Sequence, residues 1–460
     1  VNLKYLRSYL GAALLVLASL FQSPAQVFED LYSFTNSPDG ASPKSAVILG
    51  SNTLYGTTFF GGTNGVGTLF SLGIDGKNYT VLHTFGNADD GSYPYAGLLL
   101  VSNTLYGATF FGGDSGDGIV FSLGIDGQNY KVLHTFTNSP DGAAPYGALV
   151  LGSNKLYGTT YLGGDDVSGG GTIYSMDLSG NNYSVLYSFT NSPDGTSPCQ
   201  PEDALLFSGN TLYGTASYGG TNQGGVVFSI GANGENFTTL HAFNGSTDGY
   251  QPLAGLILTE NILYGTTFQG GTNQAGTIFS FNLTNNDFRV VYSFEGLSDG
   301  GSPNGGVAVS KNTLYGTVSG GGDNGAGTVF SINTDGSDFN VIHTFDPNNP
   351  ADGSQPEASP TLSGNVLYST TYSGGMTGNG TVFHVYLKIP TLNIIPPSGT
   401  NSLSVFWPST FTGFVLQKNN NLRTTNWIPV TQPVNDDGTN KSVTLPGPLT
   451  GALFLRLSAP

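Results

Sequence analysis

One phrase recurs seven times along this chain: an Asp-Gly, a proline four residues after the Asp, then a strand reading Leu-Tyr-Gly or close to it. The aspartates are Asp39, Asp90, Asp141, Asp194, Asp248, Asp299 and Asp352. The prolines at that spacing are Pro43, Pro94, Pro145, Pro198, Pro252, Pro303 and Pro356. The tyrosines are Tyr55, Tyr106, Tyr157, Tyr213, Tyr264, Tyr315 and Tyr368, separated by 51, 51, 56, 51, 51 and 53 residues. A period near fifty with several short strands in each unit predicts a β-propeller. It sorts the loops onto faces without dictating a chemistry.

The second unit shows the blade clearly. Ala96–Leu100 reads as strand a, and a turn at Ser102-Asn103 leads into strand b, Leu105–Thr109. The loop Gly112–Gly116 precedes strand c, Ile119–Leu123, and an Asp126-Gly127 hairpin turn leads into strand d, Tyr130–Phe136. Strand a begins with small residues, as in Ala96-Gly97, Gly147-Ala148 and Gly305-Gly306, and strand d ends in aromatic pairs such as His83/Phe85 and Tyr187/Phe189. Blades that converge on an axis need that taper. The chain opens with a lone d-type strand, Phe28–Phe34, and the seventh unit stops after its strand c, so the N-terminal strand is expected to close a seven-bladed ring and cover its edges.

Glycine is abundant, with 69 of 460 residues, but 12% aromatic and 9% charged residues are the reverse of a disordered composition. Lys4 and Arg7, the apolar run Leu10–Leu20 and the small residues Ser23-Pro24-Ala25 read as an export leader over residues 1–25. No other stretch is long and apolar enough to span a bilayer as a helix. The single cysteine, Cys199, cannot form an intrachain bridge. A net charge of −17 disfavours nucleic acid and anionic membrane as partners. The expected domains are the leader 1–25, the propeller 27–388, a Pro-containing linker 389–398 and a small β-sandwich-like domain 399–460, in a monomer. Within the last, Leu403–Trp407, Phe414–Gln417, Ser442–Leu445 and Leu453–Leu457 read as strands.

The segments Leu-Tyr-Gly-Thr-Thr (54–58), Gly-Gly-Thr-Asn-Gly (61–65), Gly-Thr-Leu-Phe-Ser-Leu (67–72) and Val-Leu-His-Thr-Phe (81–85) resemble the GloVer-type tandem repeat of exported bacterial proteins with varied C-terminal anchors. The resemblance covers residues 28–387 and implies export, not an activity. The tail, with Phe414–Gln417 and Asn421 to Val430, is similar to a β module common at the C-termini of such proteins. The double glycine after strand b resembles kelch blades, but the Tyr and Trp that should follow are absent.

The connections from d to a and from b to c are expected on one face. Seven aspartates there are the kind of oxygen ligand Ca²⁺ takes, yet none lies in a dense calcium-loop pattern. An Asx-turn closed by each Asp on its own backbone explains their recurrence better. His83, His134, His241 and His343 share one strand-d position with tyrosines and read as packing residues; His384 lacks an evident nucleophile partner. Two enlargements stand out at the boundary of blades three and four. The segment Pro198–Asp203 lengthens one connection, and the loop holding Asp165 and Asp166 lengthens another. Asp165, Asp166, Cys199, Glu202 and Asp203 are therefore the candidate binding residues, for a cation such as Ca²⁺ or for a glycan. The expected function is an exported, non-enzymatic binding or structural surface protein, with glycan or a cell-surface component as partner. The alternatives are a polysaccharide-active enzyme using that acidic patch, and a scaffold attached through the C-terminal domain.

Overall fold

A computed structural model describes residues 27–86, 89–165, 169–190 and 199–387, and further on 392–395, 402–408, 415–420, 427–446 and 453–458. The leader, Asp166, Asp194, Pro198 and both ends of the linker lie outside the described residues. Among those described, the protein is all-β and contains no helix able to cross a membrane.

The repeat region is a β-propeller. Six four-stranded antiparallel sheets follow one another in strand order a-b-c-d, beginning with Ile48–Gly50, Thr53–Thr58, Thr68–Gly73 and Thr80–Thr84. A further sheet joins Thr361–Ser363, Val366–Thr371 and Thr381–Tyr386 to the N-terminal strand Val27–Ser33. We number these sheets one to seven in that order. Strands b and c are buried almost throughout, because each sheet is covered on both faces by its neighbours.

The Leu-Tyr-Gly phrase has a steric cause. Gly56 pairs with Phe70 across strands b and c, and a Cβ on Gly56 would lie 2.6 Å from the tip of that ring. Gly107 and Phe121, Gly214 and Phe228, and Gly316 and Phe330 repeat the arrangement. The glycine thus opens the slot for the phenylalanine of strand c, which is fully buried. A bulge then shifts the c–d register in the first six sheets, between Leu69 and Phe70 in the first and Val120 and Phe121 in the second. Such a bulge bends strand d and adds local twist.

The strand-d aromatics and the repeated aspartate form one rivet. Tyr32/Tyr79, His83/Tyr130, His134/Tyr183, Tyr187/Phe237, His241/Phe288, Tyr292/Phe339 and His343/Phe28 stack with ring centroids 3.6–4.2 Å apart. Each pair joins strand d of one sheet to the next sheet, and Tyr32/Tyr79 joins the seventh to the first. Asp141 holds its pair in place: it accepts from Thr137 N at 3.0 Å and lies 3.0 Å from His134 Nε2, while Tyr183 donates to the Asp141 carbonyl at 2.6 Å. Asp39 does the same with Thr35 N and Tyr32 Oη. The aspartates are scaffold parts, as expected, but by a different bond. Asp39, Asp90, Asp141, Asp248 and Asp299 reach back to the amide four residues earlier and to strand d, and Asp352 to the amide six residues earlier, because that bond also locks the neighbouring blade.

The propeller strands, Phe28–Ser363 with Leu367–His384, form one compact unit, and residues from Val385 onward belong to a second. In the second, Asn393–Ile395, Leu403–Pro408, Asn440–Leu445 and Asn435–Asp436 form one sheet. Val415–Asn419, Ile428–Pro429 and Phe454–Ser458 form another. Leu403, Val405 and Trp407 alternate inward and share a core with Leu416 and Leu457 of the facing sheet, which makes the unit a small sandwich.

Candidate functional site

The connection from d to a enters each blade through a residue in left-handed backbone followed by proline. These residues are Ser42, Tyr93, Ala144, Gln200, Gln251, Ser302 and Gln355, with φ between 53° and 59°. The preceding residue bridges the b-to-c loop, as in Ala41 to Phe60, Ser92 to Phe111, Cys199 to Tyr218 and Tyr250 to Gln269. The two connections therefore share a face.

This geometry corrects the fourth unit. Its structural proline is Pro201, not Pro198. Gln200 carries the left-handed turn, and Pro201 sits against Gly171 as Pro145 sits against Gly118. The extra residues precede Cys199. Cys199 occupies an ordinary repeat position, buried beside Tyr157, Phe189 and Leu205, and burial pushes its thiol pKa up.

The residue after each structural proline is Lys44, Tyr95, Tyr146, Glu202, Leu253, Asn304 or Glu357. All seven line one cavity of about 370 Å³ that continues past the small residues Ala46, Gly97, Ala148, Gly255 and Gly306. The taper is obligatory. A Cβ on Gly147 would lie 2.4 Å from the Asp203 backbone, and one on Gly305 2.6 Å from that of Ala358.

The lining is chemically lopsided. Lys44 Nζ lies 3.2 Å from Glu357 Oε2 and sits over Tyr372, Tyr95 and Phe59, at 4.6, 4.9 and 5.6 Å from their centroids. Burial alone would lower the Lys44 pKa, but Tyr95 and Glu357 hold it above the ordinary lysine value. Tyr95 and Tyr146 pack ring on ring at 3.7 Å. Burial pushes the Glu202 carboxyl up to about 7, with Ser217 pulling the other way and Asp203 adding to the rise. Asp203 is also raised by burial, but its oxygens accept from Ala204 N and Gly255 N at 2.6 Å each. Asp203 thus ties sheet four to sheet five, whereas Glu202 has no cation within ion-pair distance among the described residues.

From the cavity mouth an aromatic crescent spreads over the loop face. Tyr95 touches Phe59, Phe59 touches Phe60 and Tyr93, and Tyr93 touches Phe111. Tyr146 touches Phe110 and Tyr161. Phe60 is 38% exposed, Phe111 48% and Leu162 39%. The positions of Phe59 and Phe60 are filled by Phe268 and Gln269 in the fifth sheet and by Ser319 and Gly320 in the sixth. The crescent is therefore densest over the first three sheets and thins at the fifth and sixth, while the fourth keeps Tyr218 and the seventh Tyr372 at the corresponding positions.

The acidic candidates divide between two places. Glu202 and Asp203 line the cavity. Asp165 is exposed on the b-to-c loop, where its amide donates to Ser188 Oγ at 3.4 Å, and Asp166 lies outside the described residues. Among the described residues no three His, Cys, Asp or Glu side chains come together at metal-ligand distances. Sequence reasoning missed Lys44, Tyr95, Tyr146 and Glu357. Their signal was present, as the one position after each proline that changes from blade to blade.

The chain is similar in fold to an oligogalacturonate lyase solved with manganese, at TM-score 0.53 and 13% identity over 79% of this chain and 94% of that one. It is similar to an oligogalacturonate lyase from Vibrio parahaemolyticus, at TM-score 0.50 and 10% identity over 79% and 97%. It is also similar to the extracellular domain of a putative one-component system from B. thetaiotaomicron, at TM-score 0.50 and 12% identity over 90% and 48%. No curated protein matches the chain. A family model for the Gloeobacter/Verrucomicrobia repeat matches residues 18–201, 112–315 and 194–383, so the repeat region lies within these matches and the chain belongs to that repeat family.

Proposed function

We propose that this protein is exported and binds glycan through the loop-bearing face of its propeller, without turning it over. The observation that carries the reading is the crescent of exposed Phe60 and Phe111 continuous with the Tyr95–Tyr146 pair at the cavity mouth. Aromatic faces beside a few fixed polar groups suit the mixed surface of a sugar. Most other large aromatics of the propeller are taken up by the core or by the stacked pairs between blades, while Tyr218, Tyr250, Phe268 and Tyr372 lie half-buried on the loop face. The leader-like residues 1–25 support export, and the reading gives the sandwich after residue 399 the role of attachment module.

Affinity electrophoresis through gels cast with neutral and charged polysaccharides tests the reading. Retardation of the wild type that is lost on Phe111→Ala supports it. Equal mobility in every gel would refute it. Shortening of a polysaccharide by the wild type, abolished by Glu202→Gln, would replace it with the enzyme reading.

A further inference from the structure

We propose that the axial cavity is an ammonium-binding site, and that the glycan it takes carries free amino groups. This rests on the glycan reading above. The cavity already holds one ammonium, that of Lys44, against the rings of Phe59, Tyr95 and Tyr372 with the Glu357 carboxylate as counter-charge. Rings and a carboxylate around a cation combine cation–π attraction with ion pairing, and both strengthen when water is excluded.

The other side of the same cavity repeats these elements with no cation among the described residues within ion-pair distance of its carboxylate. Tyr146 packs on Tyr95 at 3.7 Å, and Glu202 lies on the same lining with Asp203 next to it. Tyr95 is shared by the two halves: Lys44 Nζ sits 4.9 Å from its centroid, and Tyr146 packs against its ring. Lys44 and Glu357 neutralise one another, which leaves Glu202 and Asp203 as the remaining carboxyls of the lining; a cation placed beside either favours its ionised form. Both Asp203 oxygens are already taken by backbone amides, which leaves Glu202 as the available counter-charge. A neutral sugar can only donate a hydroxyl hydrogen bond to it, and an acidic sugar is repelled. A sugar bearing a primary ammonium gains an ion pair with Glu202 and a ring contact with Tyr146, while its pyranose rings lie along the crescent.

Isothermal titration with glucosamine oligomers and with their fully N-acetylated counterparts, near neutral pH, tests the assignment. The expected result is at least about tenfold tighter binding of the amino oligomer, with the preference lost in Glu202→Gln while the acetylated oligomer binds as before. Lys44→Ala vacates the first cage and should tighten binding of the amino oligomer; no change would count against the shared site. Equal affinity for both oligomers would overturn the ammonium assignment and leave the glycan reading standing. Binding of neither oligomer overturns the assignment, and the electrophoresis above then decides the broader reading separately.

Discussion

Lys44 Nζ and Glu357 Oε2 meet at 3.2 Å across 313 residues of chain, so the first and seventh units contribute adjacent sides of one cavity. The pair is largely shielded from water, and removing one partner leaves the other charge poorly solvated. Lys44→Met or Glu357→Leu alone should therefore destabilise the protein by about 1–3 kcal/mol. The double variant should recover part of that loss. A urea double-mutant cycle with a coupling of at least about 0.5 kcal/mol supports the ion pair; additive losses would deny it.

The stack of Tyr32 on Tyr79 leads us to predict that the seven sheets close a ring. Tyr187 on Phe237 is the same junction within the repeat. If the junctions are equivalent, Tyr32→Ala and Tyr187→Ala should each cost about 2–4 kcal/mol and lower Tm by similar amounts. A Tyr32→Ala variant that melts like the wild type would mean the ring is open between its first and last sheets.

Tyr183 donates to the Asp141 carbonyl at 2.6 Å and stacks on His134 at 3.8 Å. Tyr183→Phe keeps the stack and should cost about 1 kcal/mol, whereas Tyr183→Ala loses both and should cost about 3 kcal/mol or more. Chelation of divalent ions should leave the melting curve of either variant unchanged. A drop in Tm on chelation would make the repeated aspartates metal ligands instead of rivets.

Stability should respond to pH through Glu202. Its folded pKa, about 7, lies above its ordinary value of 4.5. The folded state thus binds more protons than the unfolded one between these values, and the contribution is full below about 4.5 and lost as pH rises through about 7. Glu202→Gln should match the wild type at acid pH and become the more stable of the two as pH approaches 8, by about 1–2 kcal/mol. Asp30, also pushed to about 7 by burial, acts in the same direction in both proteins and cancels in the comparison. His83 and His134 act oppositely: burial lowers their pKa values, so their contribution falls as pH drops below 6.5. A Glu202→Gln difference that does not change with pH would contradict the buried carboxyl.

The propeller was legible because its steric demands recur. The glycine facing Phe70, the small residues at the axis and the strand-d aromatics are needed in every blade. The site was less legible because it sits where nothing is needed. Lys44, Tyr95, Tyr146, Glu202, Leu253, Asn304 and Glu357 share a backbone position that leaves the side chain free, so they look like variation. Length changes drew attention to Pro198–Asp203 instead, and counting from Asp194 chose the wrong proline. Only the backbone turn at Gln200 identifies Pro201 as the repeat position and Glu202 as part of the lining.

Binding through the crescent is the central claim, and it is measured most directly by titrating one polysaccharide into the wild type and into the double variant Phe60→Ala/Phe111→Ala. Both rings are well exposed, so the double variant should melt within a few degrees of the wild type. The account predicts saturable binding to the wild type and a loss of at least about tenfold in affinity, or roughly 1.4 kcal/mol, in the variant. Equal affinity in the two proteins would contradict it.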